Sequence, residues 1–158
     1  MTTTQNSTII YRYEVAEIWY NPISKHHSLH AALTFNHGDI IAKFHAGITQ
    51  EFATYLTVQI GANRHITLQP HYLQFVNHSC DPNVFFDTTN MQLVCIKAMG
   101  PGEEMCFFYP STEWDMAQSF LCNCENKDCL QLINGAAHLN KATLQKYRLS
   151  DYIIQQLK

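Results

Sequence analysis

Apolar and polar residues alternate in short stretches along most of this chain. Residues 9–20, rich in Tyr, Ile, Val and Trp, carry that alternation and predict strand, closed by a turn at Asn21-Pro22. The same reading predicts strands over 31–35, 39–44, 55–60, 65–68, 84–87, 93–98 and 104–108. Turn residues separate them at His37-Gly38, Gly61-Ala62-Asn63, Asp81-Pro82-Asn83 and Gly100-Pro101-Gly102. Many short strands with few helices predict a mostly-β domain. The tail is different. Asn140 is placed to cap a helix through Tyr147, and Ser150 a second through Leu157. Leu144, Tyr147, Ile153, Ile154 and Leu157 give these helices apolar faces, which read as packing rather than chemistry.

Length adds that 158 residues suit one compact domain, and no repeat or long Gly, Ser or Pro linker divides them. Nearly half the residues are apolar, enough for a core that needs no disulfide staples. A net charge of −3 gives no basic footprint for direct nucleic-acid binding, and a mildly acidic surface does not repel a basic partner. The first eight residues have no basic and no apolar segment of a secretion signal, and no apolar run is long enough to span a bilayer. The expectation is a soluble intracellular protein with no membrane partner. In that setting six cysteines read as free thiols or metal ligands before disulfides.

Three constellations carry candidate chemistry. Asn77-His78-Ser79-Cys80-Asp81-Pro82-Asn83 sets side chains that both donate and accept hydrogen bonds beside a proline turn. It reads either as a turn that fixes a polar ligand or as an Asx-type turn closing a strand. Gly102-Glu103-Glu104-Met105-Cys106-Phe107-Phe108-Tyr109 turns into a strand ending in tyrosine, which alone is an ordinary amphipathic anchor. Cys122, Cys124 and Cys129 place three thiols within eight residues among polar spacers. Free thiols or a disulfide are open readings. A tetrahedral zinc site needs one more ligand from elsewhere.

In this order and spacing, Asn77-His78-Ser79-Cys80-x-Pro82-Asn83, Gly102-Glu103-Glu104 through Tyr109, and Cys-x-Cys-x4-Cys resemble the SET-domain protein-lysine methyltransferases with their post-SET cysteine cluster. The likeness covers roughly residues 22–135 and is nearest to short, stand-alone SET proteins. It implies a SET-type fold of small curled β-sheets in which the Asn77 and Tyr109 segments make a knot-like crossing. It also divides the chain into an N-terminal strand segment (1–21), a SET domain (22–112), a post-SET zinc-binding segment (113–135) and C-terminal helices (136–158).

The activity implied is methyl transfer from S-adenosylmethionine to a lysine of a protein substrate. Asn77 and His78 would contact the methionine part of that cofactor, and Tyr109 would be both catalytic and cofactor-binding. Phe107 would limit the lysine channel, as in relatives that add more than one methyl group. Tyr55, Phe85 and Phe108 are further candidates for the channel wall. Cys80 would complete a structural zinc site with Cys122, Cys124 and Cys129. The family's glycine-rich cofactor loop has its counterpart at His26-His27-Ser28, so Ser28, Leu29 and His30 are cofactor-binding candidates. This stretch lacks the glycines, and Phe108 stands where the family often has an acidic residue or Asn. The alternative reading is a catalytically weak or inactive SET-like module that binds peptide or cofactor.

The reaction suits these residue types. A free lysine, with a pKa of ~10.4, is almost wholly protonated at neutral pH. An aromatic channel disfavours the ammonium, and a tyrosine hydroxyl can orient the amine without ionising. Rival constellations are missing: the chain has no His-Glu-x-x-His, no Gly-x-Ser-x-Gly and no Gly-x4-Gly-Lys. Of nine histidines only His78 lies in a motif, and the rest read as solvated or hydrogen-bonded surface groups.

Overall fold

A computed structural model describes residues 6–158, so the signal-peptide reading of residues 1–5 lies outside the described residues. The fold is a set of small sheets. Strands β1 (Thr8–Arg12), β2 (Ala16–Asn21) and β3 (His26–Ala31) form one antiparallel sheet in that order. The single strand expected over 9–20 is thus a hairpin, broken at Tyr13-Glu14-Val15, where the Tyr13 N–H bonds the Ala16 carbonyl at 2.8 Å. The Asn21-Pro22 turn forms as expected. The Asn21 side-chain oxygen accepts from the Ile23 and Ser24 N–H groups, and Lys25 takes φ 61°, a conformation glycine favours.

A second sheet joins β5 (His45–Gln50), β7 (Arg64–Gln69) and β6 (Val58–Gly61), again antiparallel. A third joins β4 (Ile40–Lys43), β10 (Gln92–Cys95) and β9 (Val84–Asp87). Ala31–Phe35 is not a strand beyond Ala31; Phe35 makes one isolated bridge to Met99. Strand β5 carries too little apolar alternation to announce itself, and most of it is exposed.

The centre of the molecule is a pair of two-residue strands, β8 (Asn77–His78) and β11 (Cys106–Phe107), running parallel. Hydrogen bonds extend this contact on both sides. The Ser79 N–H donates to the Phe107 carbonyl at 3.1 Å, and the Asn83 N–H to the Cys106 carbonyl at 3.1 Å. The Asn83 side chain donates to the Glu104 carbonyl and accepts from the Cys106 N–H, both at 2.8 Å. The Asn-x-x-x-x-x-Asn spacing therefore bonds one segment to the other at both ends of the turn.

One core gathers Ile18, Leu29, Ile66, Leu73, Phe86, Leu93, Met105 and Phe107 beneath the three sheets. A second, smaller core lies under the C-terminal helices α1 (Lys141–Leu144) and α2 (Asp151–Gln156). Both have the expected caps: Asn140 accepts from the Thr143 N–H, and Ser150 from the Ile153 N–H. The first helix ends at Leu144 rather than Tyr147. Leu144 and Ile153 are fully buried there with Phe108. Leu144→Ala is expected to cost about 2–5 kcal/mol, read as a lower denaturation midpoint at unchanged slope. Strands β12 (Phe120–Leu121) and β13 (Leu132–Ile133) bracket the cysteine-rich loop. Gly135 follows at φ 113°, where a Cβ would meet the Trp114 carbonyl oxygen at 2.5 Å, so this crossing requires glycine. Among the described residues no helix is long and apolar enough to cross a membrane.

Candidate active site

The parallel β8–β11 contact delivers three motif side chains to one cavity of about 440 Å3. Asn77, Phe107 and Tyr109 line it together with Phe75, Phe86, Glu113 and Phe120. Its rim includes Lys25, His26, His27 and Tyr55. The volume falls in the range of small-molecule sites, and the wall is mainly apolar and aromatic with a few polar groups.

Asn77 donates from Nδ2 to the His27 carbonyl at 2.9 Å and to Glu104 Oε1 at 3.2 Å. It thereby ties β8 to β3 as well as to β11. The Tyr109 N–H donates to His78 Nδ1 at 3.1 Å, which leaves the His78 proton on Nε2, 3.4 Å from Cys80 Sγ. Burial pushes the His78 ring down to about 4, so the imidazole is neutral. Tyr109 stands among His78, Phe107 and Phe120, with ring centres 5.1, 4.6 and 5.8 Å away. Burial raises its hydroxyl above the usual phenol range, so it stays protonated at neutral pH.

Behind His78 lie Cys80, Cys122, Cys124 and Cys129. Their sulfur atoms all sit within 4.8 Å of one another, and the group could hold a metal ion. None of the six cysteines is in a disulfide. Cys80 Sγ accepts from the Leu130 N–H at 3.5 Å, and burial raises the Cys80 thiol. Tyr147 joins this region to the tail. Its hydroxyl donates to the Cys80 carbonyl at 2.8 Å, and its ring stacks on Phe108 with centres 3.6 Å apart.

Several sequence expectations need correction. Residues 26–31 are not a loop but strand β3. His26 and His27 touch the cavity, but Ser28, Leu29 and His30 do not line it. Leu29 belongs to the main core. His30 is buried flat against Trp19, bonded to the Gly102 carbonyl at 2.8 Å and to Ser28 Oγ at 2.9 Å. Phe85 also lies away from the cavity, because neighbours on β9 point to opposite faces. Phe86 takes the inner place, and Phe85 sits beneath the Arg148 guanidinium at 4.4 Å. The same alternation sends Phe107 to the cavity and Phe108 under the C-terminal helices. Tyr55 is 86% exposed in a turn, so it marks the mouth rather than a wall.

Several lining residues escaped sequence reasoning, Phe120 and Glu113 among them. Phe120 stands two residues before the Cys-x-Cys pair, which was its available signal. Glu113, four residues past Tyr109, is the only charged side chain from Met105 to Trp114. It is buried, and that burial pushes its carboxyl up to about 7 against the hydrogen bonds that favour the carboxylate.

Comparison with known proteins agrees with the geometry. The SET domain family matches residues 4–110. Methyltransferase flvH of Aspergillus flavus is 36% identical over 118 residues, covering 73% of this chain and 66% of that protein. A SET and MYND domain-containing protein of Dictyostelium discoideum is 36% identical over 66 residues, 35% of this chain and 19% of its own length. The histone-lysine N-methyltransferase, H3 lysine-36 specific, of Saccharomyces cerevisiae is 26% identical over 103 residues, 61% of this chain and 14% of that protein. The chain thus spans just under two thirds of the first of these proteins and less than a fifth of the other two. With the family matched across both cavity-forming motifs, this chain belongs to the SET domain family.

Proposed function

We propose that the protein is an S-adenosylmethionine-dependent protein-lysine N-methyltransferase. The observation that carries this reading is the β8–β11 contact, which brings Asn77, Phe107 and Tyr109 to one aromatic cavity with the cysteine group directly behind His78. The cavity suits the cofactor: it has the volume for it, and its aromatic faces attract a cationic sulfonium. When bound, S-adenosylmethionine supplies the methyl group. Asn77 and the His26–His27 backbone hold its polar end, and Phe120 offers an aromatic face. Ser28, Leu29 and His30 act from behind this wall by fixing β3. Phe107 limits the space around the lysine nitrogen. The Tyr109 hydroxyl, protonated, orients that nitrogen. Phe108 supports the channel from the second core, and Tyr55 is placed to meet the substrate at the mouth.

The four thiols fit zinc. Thiolates around tetrahedral zinc at ~2.3 Å stand ~3.8 Å apart, and Cys80 and Cys122 are 4.0 Å apart here. Four thiolates in a partly buried cluster also need a cation to balance them. With all four positions taken by sulfur, the ion would be structural, leaving no site for water. It would pin the 113–135 segment, which carries Phe120, over the cavity, while residues 136–158 clamp that segment from outside. The protein substrate presents an exposed lysine. The histone-lysine relative makes core histones the first to try.

Calorimetric titration of the zinc-loaded protein with S-adenosylmethionine tests the reading, followed by transfer of a labelled methyl group to core histones. Asn77→Ala is expected to weaken cofactor binding about 5–30-fold, the loss of one or two hydrogen bonds. Binding without transfer to any lysine-bearing protein would leave the binding-module alternative. No binding at all would sink the proposal.

A further inference from the structure

Glu113 is the only acidic side chain among the described residues that line the cavity. It follows Tyr109 by one turn, and its N–H donates to the Tyr109 carbonyl at 3.0 Å, so the two residues are fixed as a unit. One carboxylate oxygen, Oε2, accepts from the Gln59 N–H at 2.9 Å and from Thr112 Oγ1 at 2.7 Å. Oε1 has no protein partner among the described residues. Among the described residues no Lys or Arg is paired with this carboxylate. Gln59 returns a second bond, accepting from the Trp114 N–H at 2.9 Å. The side chain is 7% exposed, in a cavity of aromatic and aliphatic neighbours.

A buried carboxylate with no counter-charge is costly unless something offsets it. A structural tie between β6 and the Tyr109 segment needs only an acceptor, which a glutamine would supply at no such cost. What a carboxylate adds is affinity for a cation and for a proton. The titratable neighbours do not compete for that role. Burial keeps Tyr109 protonated, and His65, which faces Gln59 across the sheet, is held neutral by burial.

We infer that Glu113 first binds the substrate lysine as its ammonium and then takes its proton. The inference rests on the methyltransferase reading above. An N–H bond of the ammonium breaks, the proton bonds to a Glu113 carboxylate oxygen, and nitrogen keeps the electron pair. That pair forms the new N–CH3 bond, while the pair of the broken S–CH3 bond remains on sulfur. Glu113 returns the proton to solvent before the next turnover. Its proton affinity suits the task, since burial has moved it close to neutral pH.

Glu113→Gln keeps the acceptor for Gln59 and Thr112 and removes the proton acceptor. Wild type and E113Q would be compared in three measurements: calorimetry with S-adenosylmethionine, labelled methyl transfer to core histones from about pH 6.5 to 9.5, and infrared titration of the protein alone. At pH 7, E113Q is expected to transfer about 10²-fold more slowly, the usual contribution of a positioned base. The deficit should shrink toward high pH, where solution supplies the amine already deprotonated. Cofactor affinity should stay within about threefold of wild type, a change of under 1 kcal/mol. The infrared spectrum of wild type should show a carboxylic-acid band fading near neutral pH, and E113Q should lack it. An E113Q enzyme as fast as an active wild type overturns the assignment, as does a deficit equal at every pH. Loss of cofactor binding in E113Q would make the residue structural. A wild type that neither binds cofactor nor transfers methyl removes the parent reading, and this one with it.

Discussion

Cys122→Ser is expected to leave the protein almost free of zinc, where the wild type holds about one ion per chain. Sulfur from four separate chain positions meets within 4.8 Å, and three of those positions lie in a loop with little core of its own. Without the ion, β12 and β13 keep their two-residue ladder, the Phe120 ring against His78 and Tyr109, and the buried Ile133, but the cysteine loop between them loses its anchor. Metal binding of this kind is folding free energy. The loss should be on the order of 5 kcal/mol, about 10–20 °C in melting temperature for a domain of this size. Metal content by mass spectrometry and thermal unfolding by circular dichroism check it together, and a chelator should reproduce the effect on wild type. Metal-free protein of wild-type stability would show that the thiols are merely neighbours. Cofactor affinity should fall with the metal, because Phe120 stands on the melted segment.

Tyr109→Phe should abolish turnover to within measurement, a drop of about 10²–10³-fold or more, at unchanged stability. The two halves of that expectation have different causes. The ring packs against Phe107, His78 and Phe120, and phenylalanine keeps all three contacts. The bond to His78 comes from the Tyr109 backbone, which the substitution does not touch. The hydroxyl has no protein partner among the described residues, so removing it strands nothing. Its only remaining use is toward a ligand in the cavity. Labelled methyl transfer and denaturant unfolding on the same preparation separate the two. A variant as active as wild type takes Tyr109 out of the mechanism.

Much of this site was legible in the sequence, for reasons that differ by element. The Asn77–Asn83 motif was readable because its side chains bond backbone close by, a constraint that short-range pattern expresses. The cysteines were readable because no core position explains three thiols in eight residues. The helix caps at Asn140 and Ser150 follow the same local logic. The errors at Phe85 and Phe108 come from the other kind of information. Two adjacent phenylalanines on a strand must face opposite ways, but composition does not say which face meets the cavity. The pairing of β9 with β10 and of β11 with β8 decides it. His26–Ala31 was misread for a related reason. The family resemblance suggested a loop there, yet β3 pairs with β2 over all six residues, and His27 and His30 pack on Tyr20, Phe75 and Trp19. Glu113 was silent because a lone glutamate carries no motif. Only burial beside Tyr109 distinguishes it.

The parallel meeting of Asn77–His78 with Cys106–Phe107 also sets how the chain reaches this structure. The two strands are two residues long and have no hairpin to bring them together. Between them in sequence lies the β9–β10 hairpin, whose β10 also pairs with β4, some fifty residues away in sequence. Bringing these two strands together therefore costs the closure entropy of the whole segment between them. A topology of this kind has high contact order and folds in milliseconds to seconds rather than microseconds. Asn77 and Phe107 are thus placed at the cavity by a contact that no local segment can form alone.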